Sequence, residues 1–228
     1  TVPFVSKSTG VPLAKIAARI MAGEKLADLH LPADDREFDY FCVKEAVMPF
    51  GRFPGSDVVL GPEMKSTGEV MGIAGNFPAA FTKTQLAIDY EPPRGGEVFI
   101  SVNDGDKRNI TAIARSIARL GFSLVATTGT ARALRASGIE CEEVGKIHAG
   151  SHTILDRIAS GEIVLMINTP FGSSTNTDGY EMRAACVRHG VSYCTTLAGA
   201  QALIAGMEAV RETGLDVIAL QDLPQWEG

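Results

Sequence analysis

Three threonines and a glycine stand where an apolar run ends, in Ser123-Leu-Val-Ala-Thr127-Thr128-Gly129-Thr130, and a helical pattern, Ala131-Arg-Ala-Leu-Arg-Ala-Ser137, follows at once. The first N–H groups of a helix have no intrahelical partner and carry the positive end of the macrodipole, so an anion is stabilised there. Threonine hydroxyls add donors, and Gly129 lets the backbone come close. The chemistry this supports is the holding of a phosphate or carboxylate. Other apolar runs end in groups of the same kind: Ser101 leads to Asp104-Gly-Asp-Lys107, Ile167 to Asn168-Thr169, and Cys194 to Thr195-Thr196. Lys107 falls in the first turn of an expected helix, where a cation opposes the dipole at a cost of about a few tenths of a kcal/mol. Taken alone it is an exposed lysine. Its convergence with the threonine run favours an anion.

The remaining polar groups are less specific. Lys146-Ile-His148-Ala-Gly-Ser-His152 sets two histidines at a metal-ligand spacing, but Gly150 between them disfavours helix and no third ligand is near, so no metal site is expected. Lys146 is long enough to reach a phosphate. Asp178 follows the polar loop Phe171-Gly-Ser-Ser-Thr-Asn-Thr177 and precedes a helix, and N-capping accounts for it without chemistry. There is no G-x-S-x-G elbow, no Walker A loop and no G-x-G-x-x-G after a strand.

Alternating strands and helices must position these groups. Strands are expected at Val98–Val102, Leu124–Ala126, Cys141–Val144, Ile163–Ile167 and Val191–Cys194, with a last one at Val217–Leu220. Helices are expected over Asp106–Leu120, from Ala131, and over Ile154–Ala159, Glu181–His189 and Leu197–Glu212. Such βαβα order implies a parallel sheet covered on both faces, with ligands beyond the carboxyl ends of the strands. Glu91-Pro-Pro-Arg-Gly-Gly96 breaks both periodicities and marks a boundary, giving segments 1–93 and 94–228. Before it, Thr1-Val-Pro-Phe-Val-Ser reads as extended. A helix runs through Leu13, Ile16, Ala17, Ile20 and Met21 to a Gly23 cap, and Ser66 to Glu69 has the spacing of a capping box that opens a short helix. With no initial methionine, residue 1 reads as a cut through a larger domain.

Composition bounds the partners. The chain has 228 residues, 45% hydrophobic and 21% charged, with a net charge of −6. That is ordinary for a globular protein and lacks the basic excess of a nucleic-acid binder. Cys42, Cys141, Cys186 and Cys194 form no CxxC pair or zinc spacing and read as reduced thiols. No apolar run is long enough for a membrane span and no signal peptide is visible, so the expected setting is the cytoplasm.

Phe4-Val-Ser-Lys7, Gly10-Val-Pro-Leu-Ala-Lys15, Val43-Lys-Glu45, Phe53-Pro-Gly55 and the unbroken Leu60-Gly-Pro-Glu-Met-Lys-Ser-Thr-Gly-Glu-Val-Met-Gly72 together resemble the large chain of carbamoyl phosphate synthetase, over essentially the whole sequence. The resemblance implies that 1–93 ends the second ATP-grasp unit, which makes carbamoyl phosphate from carbamate and ATP. Its ligands for Mg or Mn and most of its ATP-binding residues would precede Thr1, leaving this segment non-catalytic and without a cofactor of its own. It implies that 94–228 is a methylglyoxal-synthase-like regulatory domain, a Rossmann-like five-stranded parallel sheet, binding UMP as inhibitor and IMP as activator in bacterial members. The resemblance further implies that ornithine activates from the boundary between the units. The nucleotide would meet Ser101, Lys107, Thr127, Thr128, Gly129, Thr130, Lys146, Asn168, Thr169 and Asp178, and ornithine Glu45, Leu60 and Thr195. Implied partners are the glutaminase small subunit and, through this end, a second copy.

One departure bears on the effector. The bacterial pattern Asn-Thr-Thr-x-Gly-Arg reads here Asn168-Thr169-Pro170-Phe171-Gly172-Ser173, so a hydroxyl and a basic group are missing, with Ser174 or Arg183 as neighbours able to compensate. Two competing functions stand beside the regulatory one. Methylglyoxal synthase shares the Ala-Thr-x-Gly-Thr turn, but its Gly-Gly-Asp catalytic loop has no counterpart in Thr169-Pro-Phe-Gly-Ser-Ser174. A pure oligomerisation domain is the other.

Overall fold

The computed structural model of the chain describes residues 1–32, 37–52, 58–60, 64–145, 153–170 and 177–223. Its centre is a five-stranded sheet of β3 (Glu97–Ser101), β4 (Ser123–Thr127), β5 (Glu142–Val144), β6 (Ile163–Asn168) and β7 (Ser192–Cys194), in the order β5-β4-β3-β6-β7. Every adjacent pair is parallel. The helices α4 (Ile110–Arg119), α5 (Thr128–Ala136), α6 (Ile154–Ala159), α7 (Thr177–His189) and α8 (Leu197–Thr213) connect or follow the strands.

Both faces of the sheet are covered, as the continuous apolar strands require. Val98, Ile100, Leu124, Ala126, Leu165 and Ile167 pack with Ile113 and Ile117 of α4, Leu134 of α5 and Leu203 and Met207 of α8. Residues one step along, Phe99, Val125 and Met166, point to the opposite face and meet Ile154, Ile158, Met182 and Cys186 of α6 and α7. At the amino end of the sheet Arg157, 8% exposed, is gripped by both oxygens of Glu142 at 2.9 and 2.8 Å and by Glu97 at 3.1 Å.

Ahead of the sheet lie α1 (Val2–Thr9), α2 (Leu13–Met21), an antiparallel hairpin of β1 (Phe41–Val47) and β2 (Gly68–Ala74), and α3 (Phe77–Ala87). α3 packs on both hairpin strands and on α8. Gly206 makes the helix contact close, since a Cβ there would lie 2.3 Å from Thr82 Oγ1. Arg211, near the end of α8, donates to the carbonyls of Leu120 and Arg94 and so ties down the segment between β2–α3 and the sheet.

Four expectations are corrected. Thr1-Val-Pro-Phe-Val-Ser is not extended: Val2–Thr9 is helical, with Pro3 in the first turn, where its missing N–H is harmless, and Gly10 closing the helix at φ 71°. Ser66 to Glu69 opens no helix, because Glu69 pairs with Ala46 inside the hairpin and cross-strand pairing outweighs a local capping signal. Val217–Leu220 forms no strand: Val217 is 97% exposed, and a 3₁₀ turn begins at Leu220. Finally, α4 begins at Ile110, not Asp106, because a 3₁₀ turn over Asp104–Asp106, capped by Asn103, comes first.

Candidate functional site

The strand order reverses beside β3: the chain runs outward through β4 and β5, then returns to add β6 and β7 on the other side. The carboxyl ends of β3 and β6 therefore diverge into a crevice, which is where ligands bind in open α/β sheets. A cavity of about 360 Å³ lies there. Ser101, Thr127, Thr128, Gly129, Asn168, Thr169 and Asp178 all line it. Residues from three strand ends and two helix starts, separated by as much as 77 positions in the sequence, thus share one space.

Its polar wall is built by the threonine turn. α5 begins at Thr128, three residues earlier than expected, so Thr128, Gly129 and Thr130 are themselves the first helical turn. Thr127 is the N-cap residue in extended conformation, yet its side chain makes no cap bond to the helix. Its hydroxyl instead donates to Ser101 Oγ at 3.3 Å. Thr130, 1% exposed, accepts from the Val102 N–H at 3.3 Å and fastens α5 to the end of β3 from behind the cavity. Lys107 sits between the 3₁₀ turn and α4 rather than in a first helical turn, so the dipole penalty expected from α4 does not apply. Its ammonium lies over the start of α5 instead: a Cβ at Gly129 would be 2.8 Å from Lys107 Nζ. There it donates to the Asp104 carboxylate. A cation held against the positive end of a helix is a place for an anion.

The opposite wall stitches β3 to β6. Asn168 Nδ2 donates to the Ser101 carbonyl at 3.1 Å, and the Thr169 N–H to the same oxygen at 3.2 Å. Thr169 Oγ1 accepts from the Asn103 N–H at 3.0 Å and from Asn103 Nδ2 at 3.1 Å. Arg183, buried on α7, donates to Asn168 Oδ1 at 2.9 Å. Asp178 is not an N-cap but the second residue of α7, inside its first turn. Pro170 also lines the cavity. Lys146, His148, His152, Ser173 and Ser174 lie outside the described residues. Asn103 was missed as a site residue. The signal was present in Asn103-Asp-Gly-Asp106, where an asparagine two residues after a strand caps the next turn.

The second expected site is partly assembled. Glu45 on β1 accepts from Thr84 Oγ1 at 2.6 Å and from Gln85 Nε2, so a hydroxyl and an amide hold it against α3. Burial first, and the Glu45 carboxylate second, push the Cys194 thiol up to about 12. Glu45 thus approaches the end of β7, one residue from the half-buried Thr195. Leu60 is 62% exposed. Tyr90, whose hydroxyl is buried beside Ser192 and Cys194, has its pKa raised by desolvation to about 12. Among the described residues no group of His, Cys, Asp or Glu is placed to hold a metal ion. No helix there is long and apolar enough to cross a membrane.

Comparison with known proteins adds the following. The family model for the MGS-like domain matches residues 109–195. The chain is 50% identical to the carbamoyl phosphate synthase large chain, C-terminal section, of Methanopyrus kandleri, over 98% of this chain and 42% of that relative. It is 47% identical to the carbamoyl phosphate synthase large chain of Myxococcus xanthus, over 97% of this chain and 20% of the relative. For Methanothermobacter thermautotrophicus the figures are 49%, 100% and 21%. The chain therefore spans between a fifth and about two-fifths of these relatives. A solved methylglyoxal synthase from Elizabethkingia anophelis NUHP1 aligns with 49% of this chain and 78% of its own, at 17% identity and a TM-score of 0.41.

Proposed function

The chain is homologous over nearly its whole length to carbamoyl phosphate synthase large chains and carries an MGS-like domain, and on that premise we propose that it is the regulatory C-terminal segment of such a large chain, with the cavity between β3 and β6 as its nucleotide-effector site. In this reading residues 94–228 sense a nucleoside monophosphate, UMP or IMP. Residues 1–93 belong to the end of an ATP-grasp unit, and the longer protein makes carbamoyl phosphate from glutamine-derived ammonia, bicarbonate and ATP. The ATP with its Mg or Mn, and the glutaminase partner, are engaged outside this segment.

The observation that carries the proposal is the Lys107 ammonium lying over the uncapped start of α5, whose first-turn residues Thr128 and Gly129 line the switch-point cavity together with Ser101, Asn168 and Thr169. Helix N–H groups, threonine hydroxyls and an ammonium are the donor set a phosphate takes. The cavity's size falls in the range of small-ligand sites. Binding displaces the Lys107 ammonium from Asp104 toward the phosphate. The 84%-exposed Asp104 carboxylate is then left to water at little cost. Ornithine would use Glu45 for its ammonium, at the edge of β7 near Thr195, in place of the Thr84 and Gln85 donors. Pro170 lends no donor to the nucleotide where bacterial relatives of this pattern have a threonine, so control here is weaker or differently tuned.

Calorimetric titration with UMP, IMP and ornithine tests the proposal. It requires saturable binding of at least one nucleotide, and ornithine binding that is abolished by Glu45→Ala. Turnover of dihydroxyacetone phosphate by the chain, lost on Asp178→Asn, would instead establish the lyase reading.

A further inference from the structure

Arg183 is 4% exposed, a permanent charge inside the domain. Burying a guanidinium is costly unless it is held by hydrogen bonds, so its placement needs a reason. Part of that reason is Asn168, whose Oδ1 accepts from Arg183 NH1 at 2.9 Å. The contact depends on Gly179, one helical turn earlier on the same face of α7. A Cβ there would lie 2.9 Å from Arg183 NH1 and 3.6 Å from Asn168 Oδ1. The path from α7 to the end of β6 is open because residue 179 has no side chain.

A carboxamide has two nearly equivalent ends, and here both are assigned. The carbonyl end faces the guanidinium, and the amino end donates to the Ser101 carbonyl at 3.1 Å. One N–H and one lone pair of the amide remain for a molecule in the cavity that Asn168 and Arg183 both line. A guanidinium has no acceptor, so it forces the carbonyl to stay on its side.

We infer that Arg183 is a positioning residue for nucleotide discrimination: it fixes the Asn168 amide in one orientation, so that this amide reads the nucleoside part of the effector while the Lys107 turn holds the phosphate. The inference rests on the nucleotide reading of the cavity. It places selectivity between nucleosides on Asn168, and makes that selectivity depend on a residue that acts through Asn168.

The test is calorimetric titration of the intact chain with UMP and, separately, inorganic phosphate, for the wild type and for Arg183→Met, Asn168→Ala and the double variant. Arg183→Met is expected to weaken UMP roughly 10-fold, the scale of one hydrogen bond to a charged group, with phosphate affinity changed less than about twofold. Asn168→Ala should cost about the same in UMP affinity, and the double variant no more than Asn168→Ala alone, because Arg183 acts on the nucleotide through Asn168. Arg183→Lys should recover part of the loss. Gly179→Ala, which crowds the guanidinium off Asn168, should reproduce the UMP effect even if Arg183→Met fails to fold. Equal weakening of UMP and phosphate, additive losses in the double variant, or unchanged UMP affinity would each overturn the assignment while leaving the nucleotide site standing. A wild type that binds neither probe would remove both.

Discussion

Between Glu97 and Thr213, five strands and five helices close their apolar residues into two continuous cores, one on each face of the sheet. Before Pro92 the buried apolar residues among those described form small clusters, such as Val11, Ile16 and Leu29 beside α1 and α2, and Ala74, Ala79 and Ala80 under the hairpin. The exposed side shows the converse. Of the thirteen large apolar side chains exposed among the described residues, ten lie before Pro92, including Met21 at 88% and Met64 at 86%. Burial of apolar area supplies about 25 cal/mol per Å², so the sheet region carries most of the stability and the leading region draws much of its own from docking through α3 on α8. The proposed nucleotide site, which needs fixed geometry to hold a phosphate, lies in the first of these. The Glu45 site lies where the two regions meet.

The largest expected effect separates the regions directly. Phe99→Ala, in the centre of the sheet, should cost about 3–5 kcal/mol, and Ile16→Ala, in a cluster of three, about 2 kcal/mol, by urea unfolding. Equal losses would erase the distinction. Next comes the joint between them. Gly206→Ala brings a methyl group against Thr82 and should destabilise by about 1–3 kcal/mol, whereas a neutral result would mean that α3 and α8 are not tightly seated.

A pH effect follows from the thiol buried under the sheet. Desolvation raises Cys186 to about 12. Above about pH 9 the unfolded chain has lost this proton while the native thiol keeps it. The contribution is therefore intact below pH 9, and stability falls by about 1.4 kcal/mol per pH unit as pH rises toward 12. Cys194 and Tyr90, raised to about 12, add slope of the same sign. Urea unfolding between pH 8 and 10.5 should show Cys186→Ala with a shallower decline than the wild type, and identical slopes would place the thiol in contact with water. The smallest effect is on the leading region's surface. Arg19 and Glu24 pair at 2.8 Å but stand 47% and 45% exposed, so Arg19→Ala should shift stability by no more than about 0.5 kcal/mol.

The contrast also explains what could be read in the sequence. The strands β3, β4 and β6 were legible because a buried parallel strand is a continuous apolar run bounded by turns, whereas the short edge strands β5 (Glu-Glu-Val) and β7 (Ser-Tyr-Cys) were legible only from the alternation of strands and helices. Seven of the expected nucleotide residues were found to share the cavity because each ends a strand or opens a helix. The errors fall where local pattern competes with contacts distant in sequence. Glu69 looked like a capping residue until β1, more than twenty residues earlier, claimed it as a strand partner. Val2–Thr9 looked extended because β-branched residues and a proline favour that conformation, and Gly10 as a helix stop was overlooked. Arg183 was noticed only as a neighbour, since the close approach past Gly179 that takes it to Asn168 is set by the tertiary fold. The position of Lys107 over Gly129 needed the turn at Asp104–Asp106 to be placed first.

On the proposed reading, a nucleotide phosphate binds at the switch point of the sheet, between Lys107 and the first turn of α5. UMP titration of the wild type and of Lys107→Ala by calorimetry, with the melting temperature of each measured without ligand, tests it most directly. The variant is expected to bind roughly 10- to 150-fold more weakly, the loss of one charge-assisted contact, at an essentially unchanged melting temperature, because among the described residues Lys107 pairs with the solvent-exposed carboxylate of Asp104 alone. Unchanged affinity, or a large fall in melting temperature with affinity retained, would contradict it and return Lys107 to a structural role.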